Sequence, residues 1–281
     1  MIKYLVMILG LTLVIAGCSN INPPKPESSP LATINPVTSA LPTPSHSTLP
    51  KPKPVHRSPV NTPKQPANTP KQSYHPIHNE PLADVRFYAP GIGKSVALTF
   101  DDGPGQSTQA IIDVLDKYNI TATFFNLGIQ ESRYPSLVRE ENRFIIGNHS
   151  WDHPDFLKLN RESQAAEITE TSNEQYSLTG TKPIAFRPPY GNYNTITRQV
   201  TGEYGMTVWL WSVDPEDWKY SGAYSRYGID RIVNLTETEG IKLNHPVIIL
   251  HNARIGNSNT VAALPRIIEF FQANGYKFVS I

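Results

Sequence analysis

The sequence has almost no cysteine, since Cys18 is the only one among its 281 residues. A disulfide within the chain is therefore excluded, and the region after Cys18 has no thiol nucleophile. Charge of one sign is also scarce, because 25 Lys and Arg residues nearly balance 24 Asp and Glu residues and leave a formal net charge of +1. So small a net charge gives no general attraction to nucleic acid, and we predict no nucleic-acid partner.

A long hydrophobic segment is missing as well. The longest mainly apolar stretch, residues 4–16, follows the positive charge of Lys3 and is too short for a comfortable transmembrane helix. It ends in small residues directly before Cys18. Small residues in front of a cysteine resemble the bacterial lipoprotein signal, which implies that residues 1–17 are removed and that Cys18 carries lipid. The alternative interpretation is an ordinary signal peptide that happens to contain a cysteine.

Residues 18–83 have a composition unlike the rest of the chain. Most of the 26 prolines lie here, together with many Ser, Thr, Asn and Lys residues and few large apolar ones. The pentapeptide N-T-P-K-Q occurs at 61–65 and again at 68–72. Such a segment cannot bury enough apolar surface to offset its ordering entropy, so we predict a Pro-rich disordered linker. Its basic side chains either rest on anionic wall polymer or lipid, or belong to a merely soluble spacer.

Alternating strands and helices begin near Val85 and define a domain from residue 84 to residue 281. Short apolar runs predict strands at 95–101, 121–127, 144–147, 185–188, 206–213, 246–251 and 277–281. Longer stretches predict helices at 107–117, 134–142, 161–178, 195–204, 227–237 and 261–273. This alternation is typical of an α/β fold with a parallel sheet and crossover helices. An open doubly wound sheet and a closed barrel would both satisfy it.

Polar residues at the ends of the predicted strands favour the barrel. They are Asp101, His149, Arg187, Asp214 and His251. A barrel brings such strand ends together around one mouth, where barrel enzymes carry out their chemistry. An open sheet would spread them along an edge. We therefore expect these side chains to meet in one site.

The first two candidate motifs combine carboxylates and imidazoles. In T-F-D-D-G-P, the adjacent Asp101 and Asp102 diverge as they leave a strand and can serve different roles, although carboxylates that cap the next helix would give the same pattern. In H-S-W-D-H, the i, i+4 spacing of His149 and His153 puts both imidazoles on one side of a helical turn. Two His and one carboxylate form a site with open positions, as catalytic zinc requires. Two unrelated loop histidines are the alternative.

Three later stretches carry further candidates. Arg187 leaves a strand into Pro-Pro, and its guanidinium suits a carboxylate partner, either in a site or in a surface salt bridge. D-P-E-D-W contains Asp217 and Trp218, which an acidic turn beside a core tryptophan would also explain. His251 ends the hydrophobic run V-I-I-L-H, where a core histidine with satisfied hydrogen bonds is the plainer interpretation. Its place at a strand end, beside the other candidates, favours a role in the site.

In this order the motifs resemble the polysaccharide deacetylase family, the NodB-homology domain of carbohydrate esterase family 4. T-F-D-D-G-P and H-S-W-D-H are highly specific together, and R-P-P-Y-G, D-P-E-D-W and L-H agree with them. The resemblance runs from about residue 95 to the end of the sequence. It implies a distorted (β/α)7-type barrel. It also implies a metal-dependent hydrolase that removes N-acetyl groups from an amino-sugar polysaccharide and releases acetate.

The resemblance assigns the motif residues to two sides of a reaction centre. Asp102, His149 and His153 would bind a divalent metal, which we expect to be zinc, although cobalt or nickel would also bind. Asp101 would be the general base, and Arg187 would pair with it and hold it ionised.

The remaining implied roles lie on the leaving-group side. His251 would be the general acid and Asp217 would orient it. The backbone N–H of Tyr190 would help to form the oxyanion hole. Trp218 and Leu250 would wall the pocket for the acetyl methyl group.

Alternatives remain for the substrate. Peptidoglycan is our first expectation and a chitin-like polymer the second, while an O-acetyl esterase on a xylan-like polymer would use the same machinery. An inactive wall-binding lipoprotein should have lost a ligand or the base. Asn252 follows His251 where many relatives carry Asp. Because His251 itself is present, we expect this difference to affect only the immediate surroundings of His251. We expect a monomer, lipid-anchored to a membrane of the bacterial cell envelope, with its catalytic domain outside the cytoplasm.

Overall fold

The computed structural model describes residues 82–253 and 258–281, which contain nearly all of the predicted domain. The predicted signal segment, Cys18 and almost the whole predicted linker lie outside the described residues. Among the residues that are described, no helix is both long and apolar enough to cross a membrane.

Strands and helices alternate along the described chain. The strands are β1 (Val85–Arg86), β2 (Ser95–Gly103), β3 (Thr123–Asn126), β4 (Ile145–Asn148), β5 (Ala185–Phe186), β6 (Thr207–Trp209), β7 (Val247–His251) and β8 (Lys277–Phe278). The helices are α1 (Thr108–Tyr118), α2 (Gly128–Arg133), α3 (Pro135–Glu141), α4 (Arg161–Thr179), α5 (Thr195–Glu203), α6 (Arg226–Gly240) and α7 (Ser258–Ala273). Short 3-10 helices span Phe156–Lys158, Pro189–Gly191 and Asp217–Tyr220. All seven predicted strands and all six predicted helices are present, with shifted ends.

The sheet is parallel and closes into a barrel. Its strands follow the order β1-β6-β5-β4-β3-β2-β7, and β8 pairs with β2. Beyond β6, Val213 bridges Ile248 in β7, and beyond β1, Tyr88 bridges Pro246 just before β7. These contacts join the two ends of the sheet. The predicted distorted barrel is therefore confirmed, and the open sheet is excluded.

Strand alternation separates a narrow interior from a larger outer core. The interior cluster includes Ala97 of β2, Phe125 of β3 and Trp209 of β6. The opposite face of β2, with Leu98 and Phe100, packs in a larger cluster with buried residues of α1, α6 and α7. Burial of each such side chain contributes about 1.5–3 kcal/mol. The outer core thus leaves the barrel interior available for polar groups.

Helix α4 packs largely through polar side chains. The Gln164 amide donates to the carbonyl of Phe156 at 2.9 Å, and the Gln175 amide donates to the carbonyl of Ile146 at 3.0 Å. These bonds fasten one long helix to β4 and to the loop that follows it. Helix α2 and strand β1 were not predicted, because six and two residues are too few to show a hydrophobic period.

Two acids are buried between β3 and the helices that cover it. The Asn126 amide of β3 donates to Glu141 of α3 at 2.6 Å, and Glu131 of α2 is fully buried nearby. Burial, the charge of Glu141 and that of Glu174 raise the pKa of Glu131 to about 9, although Asn126 opposes the shift. Burial raises the pKa of Glu141 to about 8 against the same opposing amide. In the described part of the chain, neither acid forms an ion pair with a basic residue.

We expect this pair to make the fold less stable as the pH rises. The folded protein keeps protons that the unfolded chain loses above an ordinary Glu pKa of 4.5. The free energy of unfolding should then fall by about 1.4 kcal/mol per pH unit and per group. The fall should begin near pH 4.5 and end at about pH 8 for Glu141 and about pH 9 for Glu131.

Urea denaturation of Glu131→Gln between pH 5 and pH 9 tests this expectation. The amide keeps the neutral shape, so the decline with pH should be shallower than in the wild type by about one group's share. Glu140→Gln, at an exposed position of α3, is the matched control and should follow the wild type. Equal slopes for all three proteins would contradict the assignment of a buried proton to Glu131.

Candidate active site

The end of β2 separates its two aspartates. The register with β3 shifts between Asp101 and Gly103, and the intervening Asp102 has a left-handed backbone with φ of 70°. A Cβ atom on Gly103 would lie 2.4 Å from the side chain of buried Asn252, so a larger residue at position 103 would require Asn252 to move. The bulge lets Asp101 reach Arg187 and Asp102 reach His153, so the adjacent acids have different main partners, although Asp101 Oδ2 also lies 3.6 Å from Nε2 of His149.

Asp102, His149 and His153 form a cluster, the ligand trio. Their ligand atoms all lie within 4.8 Å of one another. The Asp102 Oδ1 atom is 3.6 Å from Nε2 of His149 and 3.5 Å from Nε2 of His153. Nδ1 of His149 is 2.7 Å from the carbonyl oxygen of Arg187, and this bond leaves Nε2 to face the other two ligands. Two imidazoles and a carboxylate with an open side suit a divalent metal ion.

The electrostatics of the ligand trio also suit a metal. Burial alone would raise the pKa of Asp102, but His149, His251 and His153 together hold it well below its usual range. The carboxylate is therefore ionised, as a metal ligand must be.

His149 and His153 do not lie on a helical turn, which corrects the expectation from their spacing. The segment is a loop, with φ of 72° at Ser150 and 70° at His153.

Arg187 crosses the barrel interior and holds Asp101. Its Nη1 atom donates to Asp101 Oδ1 and to the Thr99 hydroxyl, both at 2.7 Å. Its other donors reach the carbonyl oxygens of Trp209 at 3.2 Å and Leu210 at 3.0 Å. The guanidinium lies 4.1 Å from the ring centroid of Phe125 and is fully buried. A buried cation needs such partners, so the surface salt bridge considered from the sequence is wrong.

His251 and Asp217 form a second polar pair at the mouth of the barrel. Nδ1 of His251 is 2.7 Å from Asp217 Oδ1, and the backbone N–H of His251 donates to Asp217 Oδ2 at 2.9 Å. The Thr260 hydroxyl donates to the same Oδ2 atom at 2.7 Å. Burial alone would lower the pKa of His251, but the carboxylates of Asp217, Asp101 and Asp102 raise it to about 9. The imidazole is therefore protonated at neutral pH and able to act as an acid.

Two of the three predicted pocket residues, Tyr190 and Trp218, have exposed side chains. Tyr190 has a left-handed backbone with φ of 60°, and its exposed ring lies 4.5 Å from the ring of His153. Trp218 directly follows Asp217 and is 42% exposed, so it is available at the surface beside the acid. Tyr190 therefore lies beside the ligand trio, while the role of Trp218 in the pocket stays a prediction.

Leu250 does not line the site. It pairs with Phe100 across the sheet and belongs with it to the outer core, on the face opposite to His251. Successive residues of a strand alternate between faces, so Ile249 shares the interior face with His251. The packing of Leu250 in the outer core does not agree with a role in the acetyl pocket, and Ile249 occupies the interior face instead. The prediction was displaced by one residue because every residue of β7 before His251 is apolar, so the sequence shows no alternation between the two faces.

Several residues that support the site could not be predicted from the sequence. Thr99 accepts a hydrogen bond from Arg187, and Thr260 donates one to Asp217. A single threonine has no sequence pattern that would predict such a contact. Asn252, which stands where the resemblance led us to expect an Asp, is buried and donates to the Thr108 hydroxyl at 3.1 Å. This contact agrees with a purely local effect of that difference. The site as a whole brings the Asp101 carboxylate and the His251 imidazolium, on neighbouring strands, close to three side chains that could hold a metal ion, and this arrangement suits hydrolysis.

Comparisons with known proteins agree with this geometry. The polysaccharide deacetylase family model matches residues 89–209. The chain is 36% identical over 191 residues to the peptidoglycan-N-acetylglucosamine deacetylase PgdA of Listeria monocytogenes, which covers 67% of this chain and 38% of that protein. It is 34% identical over 199 residues to a peptidoglycan-N-acetylglucosamine deacetylase of Bacillus cereus, which covers 69% of this chain and 70% of that one.

A solved structure shows the same likeness in three dimensions. The crystal structure of a peptidoglycan N-acetylglucosamine deacetylase matches with a TM-score of 0.65 and 32% identity, over 71% of this chain and 91% of that one. The chain thus spans well under half of the Listeria protein but most of the other two. The chain belongs to the polysaccharide deacetylase family.

Proposed function

We propose that this protein is a metal-dependent hydrolase that removes N-acetyl groups from an amino-sugar polysaccharide and releases acetate. One observation carries the proposal. The ligand trio lies beside a carboxylate held by a buried arginine and near an imidazolium held by a buried aspartate. Asp101 Oδ2 is 3.6 Å from Nε2 of His149, and Asp101 pairs with His251 across β2 and β7. Amide hydrolysis needs a base for water and an acid for the amine on different sides of the reacting carbonyl. The protein retains both, which argues against an inactive wall-binding lipoprotein.

The contacts of each residue support one role in this reaction. A divalent ion in the ligand trio, for which we propose zinc, supplies Lewis acidity that polarises the acetyl carbonyl and acidifies water. Asp101 accepts a proton as the water oxygen bonds to the acetyl carbon. His251 donates its proton to the nitrogen as the carbon–nitrogen bond breaks, so that acetate and a free amine leave. Arg187 and Asp217 hold these two groups in position.

The pocket completes the proposal. The backbone N–H of Tyr190 stabilises the negative charge that develops on the acetyl oxygen. Trp218 at the rim and Ile249 on the interior face enclose the acetyl methyl group. For the polymer we propose peptidoglycan first and a chitin-like glycan second, because the relatives described above are peptidoglycan deacetylases.

Acetate release tests the function directly. The purified protein is incubated with acetylated peptidoglycan, chitin oligomers and acetylxylan, with and without a chelator. We expect release from the two amino-sugar polymers, loss of release with chelator and recovery with zinc or cobalt. His149→Ala should lose both bound metal and activity. Release from acetylxylan alone would identify an O-acetyl esterase, and undiminished release from metal-free protein would refute the mechanism.

We also propose that the catalytic domain, residues 84–281, is tethered at the bacterial cell envelope by lipid on Cys18 and by the Pro-rich linker of residues 18–83. A wall polymer is an immobile substrate, which a tethered monomeric enzyme can reach repeatedly. Cys18→Ala should release the protein from membranes without changing the specific activity of the domain. Membrane fractionation measures this, and a mutant that stays in the membrane fraction would show an uncleaved anchor instead.

A further inference from the structure

The loop between the two histidines of the ligand trio has a constrained backbone. Ser150 and His153 both have positive φ, a region that residues other than glycine rarely adopt. Such a conformation persists only where surrounding contacts over-determine it. Within the loop, the backbone N–H of His153 donates to the Ser150 hydroxyl at 3.1 Å. One internal bond of this kind leaves the remaining polar groups of the loop to be held from outside.

Helix α2 holds the carbonyl side of the loop. The backbone N–H of Gly128 donates to the carbonyl of Ser150 at 3.1 Å, and that of Ile129 donates to the carbonyl of Trp151 at 3.0 Å. A Cβ atom on Gly128 would lie 2.3 Å from the ring of Trp151 and 2.7 Å from the Thr171 hydroxyl of α4. The indole is therefore packed closely where α2 meets α4.

Glu167 of α4 holds the amide side of the loop. One carboxylate oxygen, Oε2, accepts the backbone N–H of Trp151 at 2.8 Å and that of Asp152 at 3.2 Å. Hydrogen bonds to an ionised acceptor are shorter and stronger than neutral ones. Trp151 and Asp152 are the residues between the left-handed turns at Ser150 and His153. The Glu167 carboxylate therefore hydrogen-bonds the middle of the segment that separates His149 from His153.

We propose that Glu167 is a positioning residue that sets the metal affinity of the site by fixing the loop between His149 and His153. The proposal rests on the metal site proposed above. Helix α4 is suited to this role because directional side-chain hydrogen bonds hold it against strand β4. The Asn148 amide of β4 donates to the Ile168 carbonyl at 2.9 Å and to the Ser172 hydroxyl at 3.0 Å. A carboxylate on such a helix has a defined position relative to the strand that precedes His149.

Zinc affinity, measured by competition with a chromophoric chelator, tests the proposal. Glu167→Ala should weaken zinc binding by about 10- to 100-fold, the usual effect of losing a group that orients metal ligands. Turnover should recover when zinc is saturating. Glu167→Gln keeps a neutral acceptor at the same reach, so it should weaken zinc binding clearly less than Glu167→Ala does. Glu167→Asp keeps the charge but is one methylene shorter, so it should resemble Glu167→Ala.

Two controls make each outcome decisive. Glu170→Ala changes an exposed acid on the same helix and should bind zinc like the wild type. Thermal melting of the metal-free proteins separates a loss of fold from a loss of affinity, and the Gln and Asp variants decide the matter if Glu167→Ala does not fold. Wild-type affinity in a folded Glu167→Ala or Glu167→Asp protein would overturn the proposal. A wild-type protein that binds no zinc would instead overturn the proposed metal site.

Discussion

Asp101→Asn is expected to lower the turnover of an N-acetylated oligosaccharide by about 10²–10⁴-fold, while the protein binds as much zinc as the wild type. Asp101 is outside the ligand trio, and its Oδ1 atom is held by Arg187 at 2.7 Å. Asparagine still offers an oxygen to that guanidinium, so the buried cation keeps a partner. It cannot take a proton from water. Metal content by elemental analysis and initial rates of acetate release measure the two effects.

Asp102→Asn makes the same chemical change at the neighbouring residue and should have the opposite primary effect, on zinc binding. The change removes the only negative charge in the ligand trio, so zinc content and affinity should fall first, with activity falling as a consequence. Thermal melting of both metal-free variants controls for loss of fold. The assignments of base and ligand would be reversed if Asp101→Asn lost its zinc and Asp102→Asn kept it.

The second large effect is expected at His251. His251→Ala should slow cleavage of an amide by about 10²–10⁴-fold and affect cleavage of an activated aryl acetate much less. An amine leaves only after it is protonated, whereas an aryloxide leaves without a proton. Zinc content should be unchanged, because His251 does not belong to the ligand trio. Initial rates with the two substrates, compared under the same conditions, measure the contrast.

His251→Gln serves as the control for structure in that experiment. Its amide can still donate to Asp217, so the buried carboxylate keeps a partner, but it cannot transfer a proton. The two His251 variants should therefore show the same selective loss of amide cleavage. If both slow the two substrates equally, His251 is not the proton donor to the leaving group.

Much of the fold and of the site could be predicted because strand ends and hydrophobic periods are local signals. The strand that carries Asp101 and Asp102 is buried along all nine of its residues, and its mainly apolar stretch of residues 96–100, interrupted only by Thr99, is visible in the sequence. The same burial hides other information. In β7 every residue before His251 is apolar, so the sequence cannot show that Ile249 faces inward and Leu250 outward. Only the register with β2 determines the face of each residue.

Long-range contacts account for the other differences. The i, i+4 spacing of the two histidines suggested a helical turn, but contacts from α2 and from Glu167 stabilise a loop with two left-handed residues. Those contacts come from residues that precede or follow the loop by many positions, and no local pattern encodes them. The closure of the barrel through Val213 and Ile248 is likewise a tertiary event. Elements as short as β1 and α2 carry too few residues for any period to appear.

The buried guanidinium of Arg187 has a consequence for engineering this enzyme. Its four hydrogen bonds and its place over Phe125 lie within the barrel wall and interior rather than in the rim loops. The Asp101 carboxylate that it holds is thus anchored to the barrel rather than to a surface loop. Exposed loops that do not contact Arg187 can then be exchanged without displacing that carboxylate. A change in the layer of Arg187 itself should instead shift Asp101, and with it the base in the proposed reaction.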